Sequence, residues 1–222
     1  MPGEILFEFP ELFLTGLWLT IQISILGLIG AMVLGTIVAL FRVGPIVPLR
    51  WIGAAYVELF RNTPLVVQLF FLFLGLPALG IRFSTDTFES IFRAASIGMA
   101  LYHGAYVAEI VRGGLLGVDR GQIEAARSLG LSYTQMLQNV QLPQTLRAVI
   151  PPLGNIAIAL VKNTSLASTI GVAELLYAAE IVESRTFRAE EAFIAATMLY
   201  LLLTIPLGFA VNALERRLLV VR

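Results

Sequence analysis

The chain has 222 residues, 15 acidic and 15 basic side chains, 58% hydrophobic residues and a mean hydropathy of +0.85. Only 14% of it is charged, where a soluble domain carries about 25%, so a water-soluble globule is excluded. There is no cysteine and one histidine, which removes disulfides, thiol metal sites and multi-histidine centres.

The charge deficit is concentrated in runs. Residues 12–41, 62–81 and 192–214 contain no Asp, Glu, Lys or Arg. The runs 94–108 and 148–161 are shorter, and the second resumes past Lys162 to Ala173. A span needs about 20 mostly apolar residues, because helix rise is ~1.5 Å and the hydrocarbon is ~30 Å thick. Three runs meet that length outright, and two meet it if Glu109 and Lys162 are tolerated. The reading is an all-α membrane protein with five transmembrane helices, since lipid offers the backbone no hydrogen-bond partners. With no linker or charge block, residues 1–222 form a single membrane domain. The opening "MPGEILFEFP" is acidic and precedes too long an apolar run to be a signal peptide.

In chain order, the first span places Gly27, Ala31 and Gly35 four apart, and the third does the same with Ala100, Gly104 and Ala108. Small residues at that spacing let helices approach closely. Between them, "ELFRNTPLVVQLFF" predicts an interfacial helix from about Pro48 to Arg61, a break at Asn62–Thr63, and a membrane helix with Thr63 as N-cap and Pro64 at its first position. Glu58 and Arg61, three apart, are expected to pair on one face. "AYVAEIVRGG" repeats the pattern with Glu109 and Arg112. Either these form an ion pair between helices or subunits, or Arg112 simply favours a helix C-terminus.

The segment 115–145 is the polar interruption of an oily chain. Glu124 to Leu129 favours helix, Gly130 suits a left-handed position, Ser132 with Gln135 reads as a capping box, and Pro143 is expected to end the second short helix. Each helix is too short to be stable alone. The apolar positions Ala125, Ala126, Leu129, Leu131, Met136, Leu137 and Val140 need a surface, either a docking partner or the chain's own bundle. In the fourth run, Lys162 is the chain's single lysine, followed by Asn163, Thr164 and Ser165. An embedded cation usually faces a polar cavity or a partner. This segment is therefore expected either to border a polar pathway, with Gln68 and Tyr106 from neighbouring spans, or to be neutralised by Glu58 or Glu109.

Alternating the ends of the five spans sorts the loops by charge. One set (42–50, 112–147, 215–222) has nine Arg, including Arg222, against three acids; the other (1–11, 78–93, 171–191) has four Arg against ten acids. The basic set is expected in the cytoplasm, with the N-terminus outside and the C-terminus inside.

"EAARSLGLSYTQMLQNVQLP" resembles the EAA loop of ABC importer permeases, through Glu124, Ala125, Ala126, Gly130, Val140, Leu142 and Pro143. "ELFRNTPLVVQLFF", "GAYVAEIVRGGLLGVDRGQIEAARSLG" and "LVKNTSLASTIGVAEL" resemble permeases for polar amino acids of the histidine/glutamine/arginine type. Asn62 stands where glycine is common, Asn163 where aspartate or asparagine occurs, and His103 at a position expected to vary. The resemblance implies a type I importer permease fold in the bacterial inner membrane, with coupling helices docked on a cytoplasmic ABC ATPase dimer. It further implies a second permease subunit, identical or a sister chain, and an extracytoplasmic amino-acid-binding protein. ATP and magnesium would be bound by the ATPase: this chain has no phosphate loop of the G-x-x-x-x-G-K-[ST] form. No cofactor or nucleic acid is expected. Glu174, Glu180 and Glu183, with Arg185 and Arg188, are expected on an outer helix, either receiving the binding protein or merely solvated. The alternatives are a permease for another small solute, or an integral membrane enzyme; the latter lacks a catalytic constellation.

Overall fold

The computed structural model describes residues 2–219, so Arg222 lies outside the described residues. Among these, the architecture is all-helical. A short α1 (Pro2–Glu8) leads into the long α2 (Pro10–Val43), then α3 (Val47–Asn62) and α4 (Leu65–Ala78). After an outer turn come α5 (Thr87–Leu116), α6 (Arg120–Ser128), α7 (Thr134–Ile170), α8 (Leu175–Thr186) and α9 (Ala189–Leu219).

Among the described residues, three helices are long and apolar enough to cross a membrane: α2, α7 and α9. A fourth candidate is α3 with α4, bent by 108° at their junction. The run 62–81 therefore does not make one straight 20-residue helix. The break comes at Thr63–Pro64, where both residues are extended. Thr63 is not the expected N-cap. Its hydroxyl donates back to Leu59 O at 2.7 Å and accepts from Gln68 Nε2 at 2.8 Å. Pro64 takes the cap position, because the residue before a proline is driven out of helical geometry.

The faces of α2 are reversed relative to a soluble helix. Gly16, Thr20, Ser24, Gly27, Ala31 and Gly35 point inward, while Trp18, Ile25, Ile29, Val33, Ile37 and Leu40 are exposed. Small residues pack the protein and large apolar ones meet lipid. The expected close approach is present, between α2 and α5. A Cβ on Gly27 would lie 2.8 Å from Met99 Cβ, and one on Gly35 only 2.6 Å from Gly104 O. Two cores flank this seam. Ile23, Leu65, Leu69, Met99, Ala167 and Ile170 join α2, α4, α5 and α7. Ile5, Phe13, Leu175, Val182 and Ala192 join α1, α2, α8 and α9.

Pro143 does not end the second short helix. The chain runs through it into α7, by way of a π turn over Leu137–Gln141 in which Leu142 N–H reaches Leu137 O. A second π turn, Phe71–Gly75, precedes Pro77 in the same way, with Leu76 N–H on Phe71 O. Proline clashes with the carbonyl four residues back in a regular helix; the wider turn removes the clash and lets the helix continue.

Candidate functional site

The hairpin between α5 and α7 is built from caps. Asp119 accepts from Gly121 N–H at 2.7 Å and starts α6. Gly130 is left-handed (φ +76°), with its N–H on Arg127 O, and Leu131 N–H returns to Ala126 O. The capping box is formed: Ser132 N–H donates to Gln135 Oε1 at 2.9 Å and Gln135 N–H to Ser132 Oγ at 3.4 Å. Ala126 and Met136 are buried, so the hairpin packs partly on itself. At the elbow Leu129 is 81% exposed, and Glu124 and Ala125 are exposed beside it. Gln141 and Thr145 tie the base to Leu115 O and Gly114 O of α5, and Gln144 donates to Gln122 of α6.

Above that base lies an ionic cluster. Glu109 is paired with Arg42 of α2 and with Arg112, the latter at 2.8 Å. Glu109 and Arg112 pair within α5 rather than between helices; the contact between helices is made by Arg42 of α2, expected only as a loop charge. A cavity of about 470 Å³ opens here, lined by Glu109, Gly113, Gly114, Gly117 and Gln144 among others. The Glu58–Arg61 pair does not form. Glu58 accepts from Asn62 Nδ2 at 2.7 Å, while the Arg61 guanidinium lies 5.3 Å from the Tyr106 ring centroid. Three-residue spacing permits a contact, but at the end of α3 a nearer amide and an aromatic face from α5 compete for it.

The 162–165 segment spans the change from α-helix to a 3₁₀ turn at Thr164. The tighter coil lets hydroxyls reach carbonyls three residues back: Thr164 Oγ1 donates to Val161 O at 2.7 Å and Ser165 Oγ to Lys162 O at 2.8 Å. Thr164 is buried. Asn163 Nδ2 reaches across to His103 Nε2 at 3.1 Å. Lys162 is exposed, and no described carboxylate pairs with it; Glu58 and Glu109 are engaged elsewhere. Tyr106 joins Tyr102 through their hydroxyls, 3.1 Å apart. Gln68 stands apart from this group. Its amide donates to Phe60 O, Thr63 O and Thr63 Oγ1, clamping the α3–α4 break. His103, expected only to be a variable position, is 2% exposed and makes a contact between helices. Its partner is 60 positions away, so no local pattern reveals it; its only signal is a lone imidazole within an apolar run.

On the opposite end, α8 is helical as expected, but Glu174 is fully buried. It caps α8 by accepting from Tyr177 N–H at 3.0 Å and also accepts from the Tyr200 hydroxyl. Glu180 is exposed and Glu183 half-buried. Arg188 is held by Glu8 at 2.7 Å and Glu191 at 2.5 Å.

The chain is 40% identical over 218 residues to the probable glutamine ABC transporter permease protein GlnM of Bacillus subtilis, covering 98% of each chain. It is 41% identical over 214 residues to the glutamate transport system permease protein GluC of Corynebacterium glutamicum, covering 93% of this chain and 94% of that one. Its fold superposes on the crystal structure of an amino acid ABC transporter with histidines, at a TM-score of 0.87 and 33% identity over 96% of each chain. An inward-facing structure of the MetNI methionine ABC transporter shares the fold at a TM-score of 0.71 and 21% identity, over 93% of this chain and 96% of that one. Residues 11–220 match the family described as binding-protein-dependent transport system inner membrane component. The chain belongs to that family: it is a multi-pass inner-membrane permease subunit of an ABC importer, a transport component and not an enzyme.

Proposed function

We infer that the chain imports polar L-amino acids, forming the translocation pathway and coupling to a separate ATPase through the 115–145 hairpin. The observation that carries the coupling role is the elbow at Gly130. Two capped short helices present Leu129, Ala125 and Glu124 outward at the end of an otherwise lipid-facing bundle. Ala126 is buried inside that hairpin, Gly130 makes its turn, and Leu142 and Pro143 carry the chain from it into α7. The amino-acid class is supported by the relatives' names, and a polar pathway by the Asn163–His103 and Tyr102–Tyr106 contacts, with Lys162 exposed next in sequence to Asn163. Thr164 and Ser165 set the tight turn beside it, and Gln68 fixes the helix break.

In this reading the single membrane domain crosses five times, with α3–α4 as the bent second crossing and α5 as the third. The N-terminus is outside, and the hairpin and C-terminus are cytoplasmic, in keeping with the arginine distribution. Two permease subunits pair, an ATPase dimer binding ATP and magnesium docks on the hairpins, and an extracytoplasmic protein delivers substrate to the face bearing Glu180 and Glu183. The Arg42–Glu109–Arg112 cluster links α2 to the helix that leads into the hairpin, so motion of the hairpin is felt by the bundle. The test is co-purification in detergent followed by reconstituted uptake. The chain should bring down an ATPase subunit, and proteoliposomes with the binding protein should accumulate a labelled polar amino acid only with ATP. Equilibration without accumulation, independent of ATP, would mean a channel; uptake of a non-amino-acid solute alone would mean a different importer.

A further inference from the structure

The two helices that carry the hairpin, α5 and α7, are packed on one edge and open on another. Along α5 the cavity of about 470 Å³ is lined by Glu109, Gly113 and Gly117, and along α7 by Gln144, Ala148 and Pro152. Each series steps four residues at a time and so lies on one helix face. A Cβ on Gly113 would meet nothing within 4 Å. One position further on, the helices are in close contact: a methyl group on Gly114 would run into Val149, and Thr145 Oγ1 donates to Gly114 O at 3.3 Å.

Both helices are easy to bend beside this cavity. α7 continues as helix through Pro151 and Pro152. A proline has no N–H, so Arg147 O and Ala148 O lose their donors four residues on. Two missing rungs in succession lower the resistance of a helix to bending. The end of α5 carries three glycines in five residues, Gly113, Gly114 and Gly117. Glycine resists a change of backbone angle least of all residues.

Polar ties clamp the chain on either side of these weak points. On the bundle side, Glu109 holds Arg112 and Arg42 of α2, which fixes α5 to its neighbour up to the residue before Gly113. On the hairpin side, Thr145 is tied to Gly114 O, Gln141 to Leu115 O and Gln144 to Gln122, so the last turn of α5, α6 and the start of α7 are held as one body. We propose that residues 114–150 swing as that body about a paired hinge, Gly113–Gly114 on α5 and Pro151–Pro152 on α7, and that the cavity is the room they swing into. The Gly114–Val149 contact lies inside the body and travels with it. Hinges of this kind are a few residues at the ends of elements that absorb the whole change in backbone angle. The hinge rests on the coupling role given to the hairpin above and places where its motion is taken up, leaving the caps and the Gly130 elbow unchanged.

The experiment separates bending from the mere presence of proline. Pro151→Ala with Pro152→Ala restores both donors in a stiff helix former, whereas Pro151→Gly with Pro152→Gly restores the same donors in a backbone that still bends. Each pair is purified with its ATPase, reconstituted with the binding protein, and assayed for uptake of labelled L-glutamine and L-glutamate per ATP hydrolysed. The alanine pair should assemble with wild-type ATPase stoichiometry and melt no lower than wild type, while uptake per ATP falls about tenfold or more. The glycine pair should stay within about twofold of wild type. Gly113→Leu fills the cavity without touching the prolines, and it too should assemble and lose uptake. Wild-type uptake in the alanine pair, equal loss in the alanine and glycine pairs, or full uptake in Gly113→Leu overturns the hinge. If the alanine pair does not assemble, Gly113→Leu decides. If the wild-type chain brings down no ATPase, the coupling reading itself fails; a coupled wild type with a fully active alanine pair overturns only the hinge.

Discussion

The α2–α5 seam and the 120–145 hairpin are stabilised by opposite means. The seam is long and closely packed: backbone and small side chains meet at Gly27, Gly30, Gly35 and Gly104, with no room for a methyl group. It needs no polar contact along most of its length. The hairpin buries few side chains and depends on caps, an elbow glycine and amide ties to α5 and α6. A Cβ on Gly130 would meet nothing within 4 Å. The seam is therefore constrained by volume and the hairpin by backbone conformation. A substitution that ruins one should be harmless in the other.

The largest effect should follow Gly35→Val. Added atoms would run into Gly104 O and Val107, and overpacking of about 3 kcal/mol or more should leave little assembled complex by size-exclusion yield and thermal melt. Wild-type yield would show that the helices slide apart easily. Gly130→Val should be the mirror image. The folded bundle and its melting temperature should stay near wild type, while uptake falls to background, because a β-branched residue is strained at φ +76°. Normal uptake in that variant would remove the elbow from the coupling role. Glu124→Lys and Leu129→Asp change only the exposed rim, so co-purified ATPase should fall several-fold without loss of permease; unchanged stoichiometry would move the docking surface elsewhere. Smallest of all, Ser132→Ala should cost about 1 kcal/mol of local stability, visible as faster amide exchange over residues 133–138 and a modest drop in coupled transport. A cysteine pair sharpens the same comparison by side. In this cysteine-free chain, Ser84→Cys should react with an impermeant maleimide from outside. Gln138→Cys should react only after the membrane is opened, and opposite labelling would invert the topology.

Much was written in local pattern. Uncharged runs follow from the cost of charge in lipid, and three of the five, 12–41, 192–214 and all but the last residues of 148–173, lie on helices that are long and apolar enough to cross a membrane among the described residues. The elbow at Gly130 and the Ser132–Gln135 box are interactions within a few residues, and both formed as expected. The small-residue stripes of the first and third runs proved to be the two sides of one seam. Local pattern failed where two outcomes share the same spacing. Pro143 can stop a helix or be passed by a π turn, and what settles this is whether the residues beyond it have a bundle to join. Glu58 is within reach of Arg61, yet it holds Asn62 while Arg61 turns to Tyr106. Glu174 looked like one of three surface acids and is instead a buried cap held by Tyr200.

The sequence by itself determined that this is a helical membrane protein with one polar, capped hairpin, because hydropathy and capping act within a single turn or a single span. Only the tertiary structure decided which charges are neutralised and which are left over. Arg42 finds Glu109, and Asn163 finds His103, across gaps of about 60 to 70 residues. Electrostatic partnership depends on distance in space and on what else competes for the same oxygen, and neither quantity exists until the helices have packed.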